Sequence, residues 1–182
     1  MFERWNWKEA DHVEPFRNEP FLAIDPGETG KVLAYEKGKR SPVMVAHPLQ
    51  PEDVGRVMKA TGARVLVVEA QYVRSLKASQ SVLELTFKLG MCLGWVACTR
   101  AHVREMHMFA VAPASWQAHQ RGHKGKPLRG EGIAIAMARA KQKANFDPVF
   151  RLWWEAEAKA GKEGLASALG IGDLWQHEAW DP

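Results

Sequence analysis

The stretch Phe21-Leu22-Ala23-Ile24-Asp25-Pro26-Gly27-Glu28-Thr29-Gly30 decides how this chain is read. Four apolar residues of strand character run into one carboxylate, and Pro26 and Gly27 then end the ladder and turn the chain. Asp25 is therefore expected on a rigid strand end, at the rim of a sheet. A second apolar run, Val65-Leu66-Val67-Val68, ends the same way in Glu69. It lacks polar alternation, as a strand covered on both faces does. Two acids at the ends of two buried strands make a natural cation site, because Mg²⁺ takes hard oxygen ligands, commonly one or two carboxylates with water. Two such ions held close together are the arrangement that hydrolyses phosphodiesters. Taken singly, each acid has an ordinary reading: a turn aspartate before Pro-Gly, and a surface glutamate after a strand.

Around these two strands the chain reads as an α/β domain. Residues 31–36 and 42–47 are expected to be strands, with Gly38 near the hairpin between them, giving an antiparallel meander. A short helix is expected over 51–60. Pro51 suits a first helical position, Glu52 and Asp53 sit near the positive end of the dipole, and Gly62 follows. Residues 75–100 carry the longest helical pattern. Gly90 and Gly94 lie four apart there and let another backbone approach, from the core or from a partner subunit. Residues 107–112 read as a strand closed by Pro113, and 118–130 as a basic, flexible loop. Helices are expected over 131–145, 148–160 and from about 162 to 175 or beyond. Residues 1–20 read as an irregular arm docking through Trp5, Trp7 and Phe16, ahead of one domain over 21–182. The order β-β-β-α-β-α-β-α-α-α predicts a mixed five-stranded sheet with an antiparallel edge and helices on both faces.

Composition sets bounds on function. The 182 residues suffice for one domain with a sizeable core, and 46% hydrophobic with 25% charged residues is an ordinary globular balance. The net charge of +4 leans toward an anionic partner without requiring one. Cys92 and Cys98 form no CxxC, which fits a reducing compartment. The start, Met1 to Lys8, is too charged for a secretory signal, and the apolar stretch 91–99 is too short to cross a bilayer, so no membrane association is expected. The phosphate-cradling, dinucleotide-binding and nucleophile-elbow glycine motifs are all missing, so no organic cofactor is expected.

The opening strand Phe21 to Gly30 resembles that of the RuvC-type Holliday junction resolvases, phage-like members included, in the RNase H-like superfamily. Val67-Val68-Glu69-Ala70-Gln71-Tyr72 is similar to that family's second acidic motif, where an aromatic residue follows the glutamate by three. The glycine-bearing helix Phe87-Lys88-Leu89-Gly90-Met91-Cys92-Leu93-Gly94 fits as well. So does Val111-Ala112-Pro113-Ala114-Ser115-Trp116-Gln117, which resembles the strand-end segment of phage-type members. The likeness spans residues 21–175. It implies an RNase H-like fold and a Mg²⁺-dependent endodeoxyribonuclease, with Mn²⁺ substituting and two ions per active site. Its substrate would be four-way DNA junctions in recombination and repair, cut to leave a 5′-phosphate. Asp25 would bridge both ions and Glu69 would hold one. A two-fold symmetric junction implies a C2 homodimer, with residues 75–100 as the expected interface. The implied setting is the cytoplasm of a bacterial or phage-infected cell.

The last family motif departs from pattern. RuvC-type enzymes place one or two acids, sometimes a histidine, on a C-terminal helix. Here Ser167 stands where the aspartate is expected, in Glu163-Gly164-Leu165-Ala166-Ser167. Glu163 lies one turn earlier on the same face and is the first candidate for the missing oxygen. Asp173 with His177, also four apart, is the second, and Glu131 the third. Glu163 and Asp173 are about 15 Å apart along a continuous helix and cannot serve one ion pair. At least two of these three readings must be plain helix-face charges. Tyr72 is expected beside the metals as an aromatic wedge stacking on a base, against a core-rim reading. Arg74 and Lys77 follow as phosphate contacts or a solvated helix start. Arg121, Lys124, Lys126 and Arg129 in the 118–130 loop are expected to clamp a DNA arm, against the reading of a solvated charge run. His119 and His123 are not spaced as a zinc site, and His47, His102 and His107 read as structural. Three rival functions remain open: an RNase H-like nuclease on hybrids or branched DNA, a catalytically impaired junction-binding protein, and an unrelated metal-binding α/β protein.

Overall fold

The computed structural model describes residues 14–16, 18–70, 84, 87–94, 106–121 and 130–180. Its strands are β1 (Phe21–Ile24), β2 (Val32–Tyr35), β3 (Met44–Ala46), β4 (Val65–Glu69) and β5 (His107–Val111). They form one sheet in the order β3-β2-β1-β4-β5. β2 is antiparallel to β1 and β3, whereas β1, β4 and β5 run parallel. The mixed sheet with an antiparallel edge is as the sequence predicts. The carboxyl ends of β1, β4 and β5 therefore share one rim.

The helices are α1 (Pro51–Thr61), α2 (described over 87–94), α3 (Pro113–Arg121), α4 (Glu131–Phe146), α5 (Pro148–Ala156) and α6 (Lys159–Trp180). Strand alternation sorts the core into two layers. Phe21, Ala23, Leu33, Tyr35, Val65 and Val67 face one side, which α3, α4, α5 and α6 cover. Leu22, Ile24, Val32, Ala34, Leu66 and Val68 face the other, covered by α1 and α2 through Val54, Val57, Met58, Leu89 and Leu93. Burial on both faces explains why the strands read as unbroken apolar runs.

Local signals place most boundaries. Pro51 opens α1, Glu52 and Asp53 occupy its first turn, and Gly62 caps it with φ 71°, a left-handed conformation suited to glycine. Asp147 caps α5 by accepting from the Phe150 backbone N–H at 3.0 Å. Phe16 packs on His107 and Phe109 with ring centroids 4.2 and 5.6 Å away, so this part of the arm does dock; Trp5 and Trp7 lie outside the described residues. His47 is structural, its ring bonding the Glu28 carbonyl at 2.8 Å and accepting from the Leu49 N–H.

Two expectations need correction. The basic loop expected from residue 118 is helical through Arg121, because α3 starts directly after β5. Trp116 and Gln120, one turn apart, are both buried and fix its inner face, which outweighs the basic composition. The helix expected over 148–160 breaks at Glu157, whose φ −97° and ψ 141° are extended. Its carboxylate meets the Lys31 ammonium at 2.5 Å and ties this break to the segment after the β1 turn. Among the described residues no helix is long and apolar enough to cross a membrane.

Candidate functional site

The β1–β4 register runs Phe21↔Val65 to Ile24↔Val68, so Asp25 and Glu69 are the next facing positions. Adjacent strands lie about 4.8 Å apart. Alternation turns both side chains to the face covered by α6, the face of Ala23 and Val67. A chain reversal fixes Asp25. Its Oδ1 accepts from the Gly27 N–H at 3.3 Å, Gly30 N–H donates to the Gly27 carbonyl at 2.9 Å, and the Asp25 N–H reaches the Lys31 carbonyl at 3.0 Å.

The electrostatics show how enclosed this pair is. Burial pushes the Asp25 carboxyl up from 3.8 to about 6, the Gly27 N–H offsetting part of the rise. Glu69 goes from 4.5 to about 8, first through burial, then through repulsion from Asp25, with Trp116 pulling it back. The Trp116 indole Nε1 is buried and makes no hydrogen bond of ordinary geometry, yet lies near enough to Glu69 to favour its charged form. No Lys or Arg among the described residues forms an ion pair with either acid. Two half-buried carboxylates side by side with no cation between them are costly unless a positive charge arrives. That is the condition a divalent ion satisfies, so the donor set fits Mg²⁺ or Mn²⁺.

α6 roofs the pair. Gly164 lies against the Thr29 carbonyl and Gly30, where any Cβ would collide. Gly170 lies under Trp116, where a Cβ would sit 2.7 Å from the indole Cε3. Ser167, buried, is midway between these two contacts and so on the helix face turned toward the carboxylates. Glu163 precedes Gly164 on the same rim and is exposed.

The other expected ligands lie elsewhere. α6 runs against β1, so Gly172 touches Tyr35, and the Trp175 ring lies tilted 6.1 Å from that of Phe21, at the start of β1. Asp173 accepts from Gln120 at 3.4 Å on that rim, and the His177 ring lies 4.8 Å from that of His119. The Asp173–His177 pair is thus separated from Asp25 and Glu69 by the length of a strand, roughly 13 Å. Glu131 opens α4 and faces Arg121 at 3.9 Å. The Arg121 side chain is only 6% exposed, so this expected phosphate contact is turned inward. Among the described residues no three His, Cys, Asp or Glu side chains come together as a metal cluster. Tyr72, Arg74, Lys77, Lys124, Lys126 and Arg129 lie outside the described residues.

Sequence reasoning missed a role for Trp116. Its position in the first turn after β5 was the available signal, since β5 neighbours β4 and Glu69 pairs with Val111.

No protein-family profile matches the sequence, and no curated protein does. Among solved structures, the chain is similar to the yeast mitochondrial Holliday junction resolvase Ydc2. The TM-score is 0.49 at 11% identity, over 94% of this chain and 88% of that one. A superposition that loose assigns neither family nor activity, so the functional reading stands on the carboxylate pair.

Proposed function

We propose that this chain is an RNase H-like, RuvC-type nuclease that resolves four-way DNA junctions by Mg²⁺-dependent phosphodiester hydrolysis. One observation carries the reading: Asp25 and Glu69 share a strand-end rim, half-buried side by side, and no cation among the described residues pairs with them. The mixed sheet with its antiparallel edge agrees with the RNase H-like architecture that the sequence resemblance implies. Asp25 and Glu69 would hold the ions, with Glu163 at the edge of the site. Bound divalent ions supply activation of water and neutralisation of charge at phosphorus. The chain's own part is positional. The Asp25 turn fixes one carboxylate, the Trp116 N–H steadies the ionised form of the other, and α6 limits bulk water above both. Asp173 and His177 belong to a different rim and take no part.

The test is cleavage of a synthetic four-way junction in Mg²⁺ or Mn²⁺, with linear duplex and RNA–DNA hybrid as controls. Asp25→Asn and Glu69→Gln should each lower the junction rate by at least about 10²-fold while leaving junction binding intact. Preferential cutting of the hybrid would instead favour the broader RNase H-like nuclease.

A second reading has its own support. Ser167 brings no charge to the position facing the pair, and no third acidic or imidazole group joins it among the described residues. A protein that binds junctions without cutting them is consistent with that deficit. Tight junction binding with no cleavage by the parent chain in either metal would establish it.

A further inference from the structure

The rim opposite the carboxylate pair holds a second polar cluster that the nuclease reading does not use. A cleft of about 300 Å³ opens there between α4 and α6, lined by Arg139, Gln142, Lys143, Phe146, Leu169 and Asp173. Its size lies at the lower end of small-ligand sites. Asp173 is set into the floor, where burial raises its carboxyl pKa against the pull of Gln120, Lys143 and Arg139. It accepts one long hydrogen bond, 3.4 Å from Gln120 Nε2. A carboxylate has about four acceptor sites, so most of its capacity is unspent. The Tyr35 hydroxyl close to it is also buried and without a hydrogen bond.

The mouth differs from the floor. Arg139 is exposed and forms no ion pair among the described residues. Lys143 beside it already donates to Ser41 Oγ at 2.8 Å and lies 3.7 Å from Asp147. The Phe146 ring is 81% exposed, and Val149 and Leu152 extend the apolar surface onto α5 at 50% and 68%. The cleft thus presents a half-buried acceptor, an exposed guanidinium at its mouth and an apolar wall. A nucleic-acid strand is a poor match, because phosphates need several cations, and among the described lining residues Lys143 is already engaged by Ser41 and Asp147, leaving Arg139 beside apolar Phe146 and Leu169.

We propose that this cleft captures the free C-terminus of a partner protein whose last residue is large and apolar. The terminal carboxylate pairs with Arg139, for which the guanidinium fork is suited. The terminal side chain lies against Phe146 and Leu169, and the last backbone N–H donates to Asp173. Recognition of a chain terminus together with one side chain is a known mode of peptide binding. The site is independent of the carboxylate pair, so it stands whether or not the chain cuts DNA.

The experiment is fluorescence anisotropy with the full chain and fluorescein-labelled short peptides. The peptides are a pool with randomised upstream positions and a terminal Phe, Leu or Trp, made as free acids and as C-terminal amides. The acids should bind at least about tenfold more tightly than the amides. Arg139→Glu should remove about tenfold or more of that affinity, and Phe146→Ser several-fold. Both side chains are exposed, and an unchanged melting temperature confirms that these variants fold. Absence of binding by the acid pool overturns the proposal, as do equal affinities for acid and amide or indifference to Arg139→Glu. Displacement of the peptide by a single-stranded oligonucleotide whose own binding shows the same two losses would overturn it in favour of a nucleic-acid site.

Discussion

At the scale of single residues, the cost of bringing two carboxylates together decides what the protein does with pH. Below about pH 3, Asp25 and Glu69 are largely neutral in both folded and unfolded chains, and their burial carries little charge penalty. As pH rises, the unfolded chain releases its protons near the ordinary values of 3.8 and 4.5, while the folded protein keeps them to about 6 and about 8. Stability is therefore lost progressively up to about pH 8 and then levels off. Glu69→Gln should accordingly stabilise the metal-free protein above pH 8, by on the order of 2–4 kcal/mol, the gain fading toward about pH 3. Asp25→Asn should do the same more weakly, because burial raises the Asp25 carboxyl less than that of Glu69. Urea unfolding in a chelator at several pH values checks this. A difference that does not vary with pH would show that the two acids are not held as an uncompensated pair.

At the scale of elements, α6 matters most, because its small residues set how near it lies to the sheet. Replacing a helical glycine by alanine normally gains up to about 1 kcal/mol in helix propensity. At Gly164 the new Cβ meets the Thr29 carbonyl, which is backbone and cannot swing aside. Overpacking of this sort costs about 1–3 kcal/mol, so the clash outweighs the propensity. Gly164→Ala should therefore lower unfolding stability, read from the denaturant midpoint, and should loosen the turn that holds Asp25. Gly90→Ala is the contrasting case. Among the described residues nothing lies within 4 Å of where its Cβ would go, and the substitution should leave stability equal or raised. The same physics explains what could be read beforehand. Strand ends at Pro and Gly, and helix starts at Pro, are local signals, and they placed β1, β4, α1 and α5. α3 was hidden, because its helical state depends on burying Trp116 and Gln120 against a core assembled from distant segments.

At the scale of the whole molecule, α2 leaves apolar surface uncovered. Phe87 is 68% exposed and Met91 59%, one turn apart, with Gly90 and Gly94 beside them. The homodimer proposed from the symmetry of a junction substrate would use this face. Sedimentation of the parent chain should then show a dimer, and Met91→Glu should shift it to monomer at the same concentration with no loss of helix content. A parent chain that sediments as a monomer on junction DNA would leave the two-fold arrangement without support.

The sequence alone determined the order of elements around Asp25, helices on both faces of the sheet and an acid at the end of each of two apolar strands, β1 and β4. These follow from apolar runs and turn residues, whose effects reach only a few positions along the chain. Only the tertiary structure decided which residues of α6 look at that pair. The helix spans both rims of the sheet, so Glu163 and the Asp173–His177 pair both remain candidates until its direction and closeness are known. Contacts of Gly164, Gly170 and Gly172 with three separate parts of the chain set that placement, and no local pattern encodes contacts between segments so far apart.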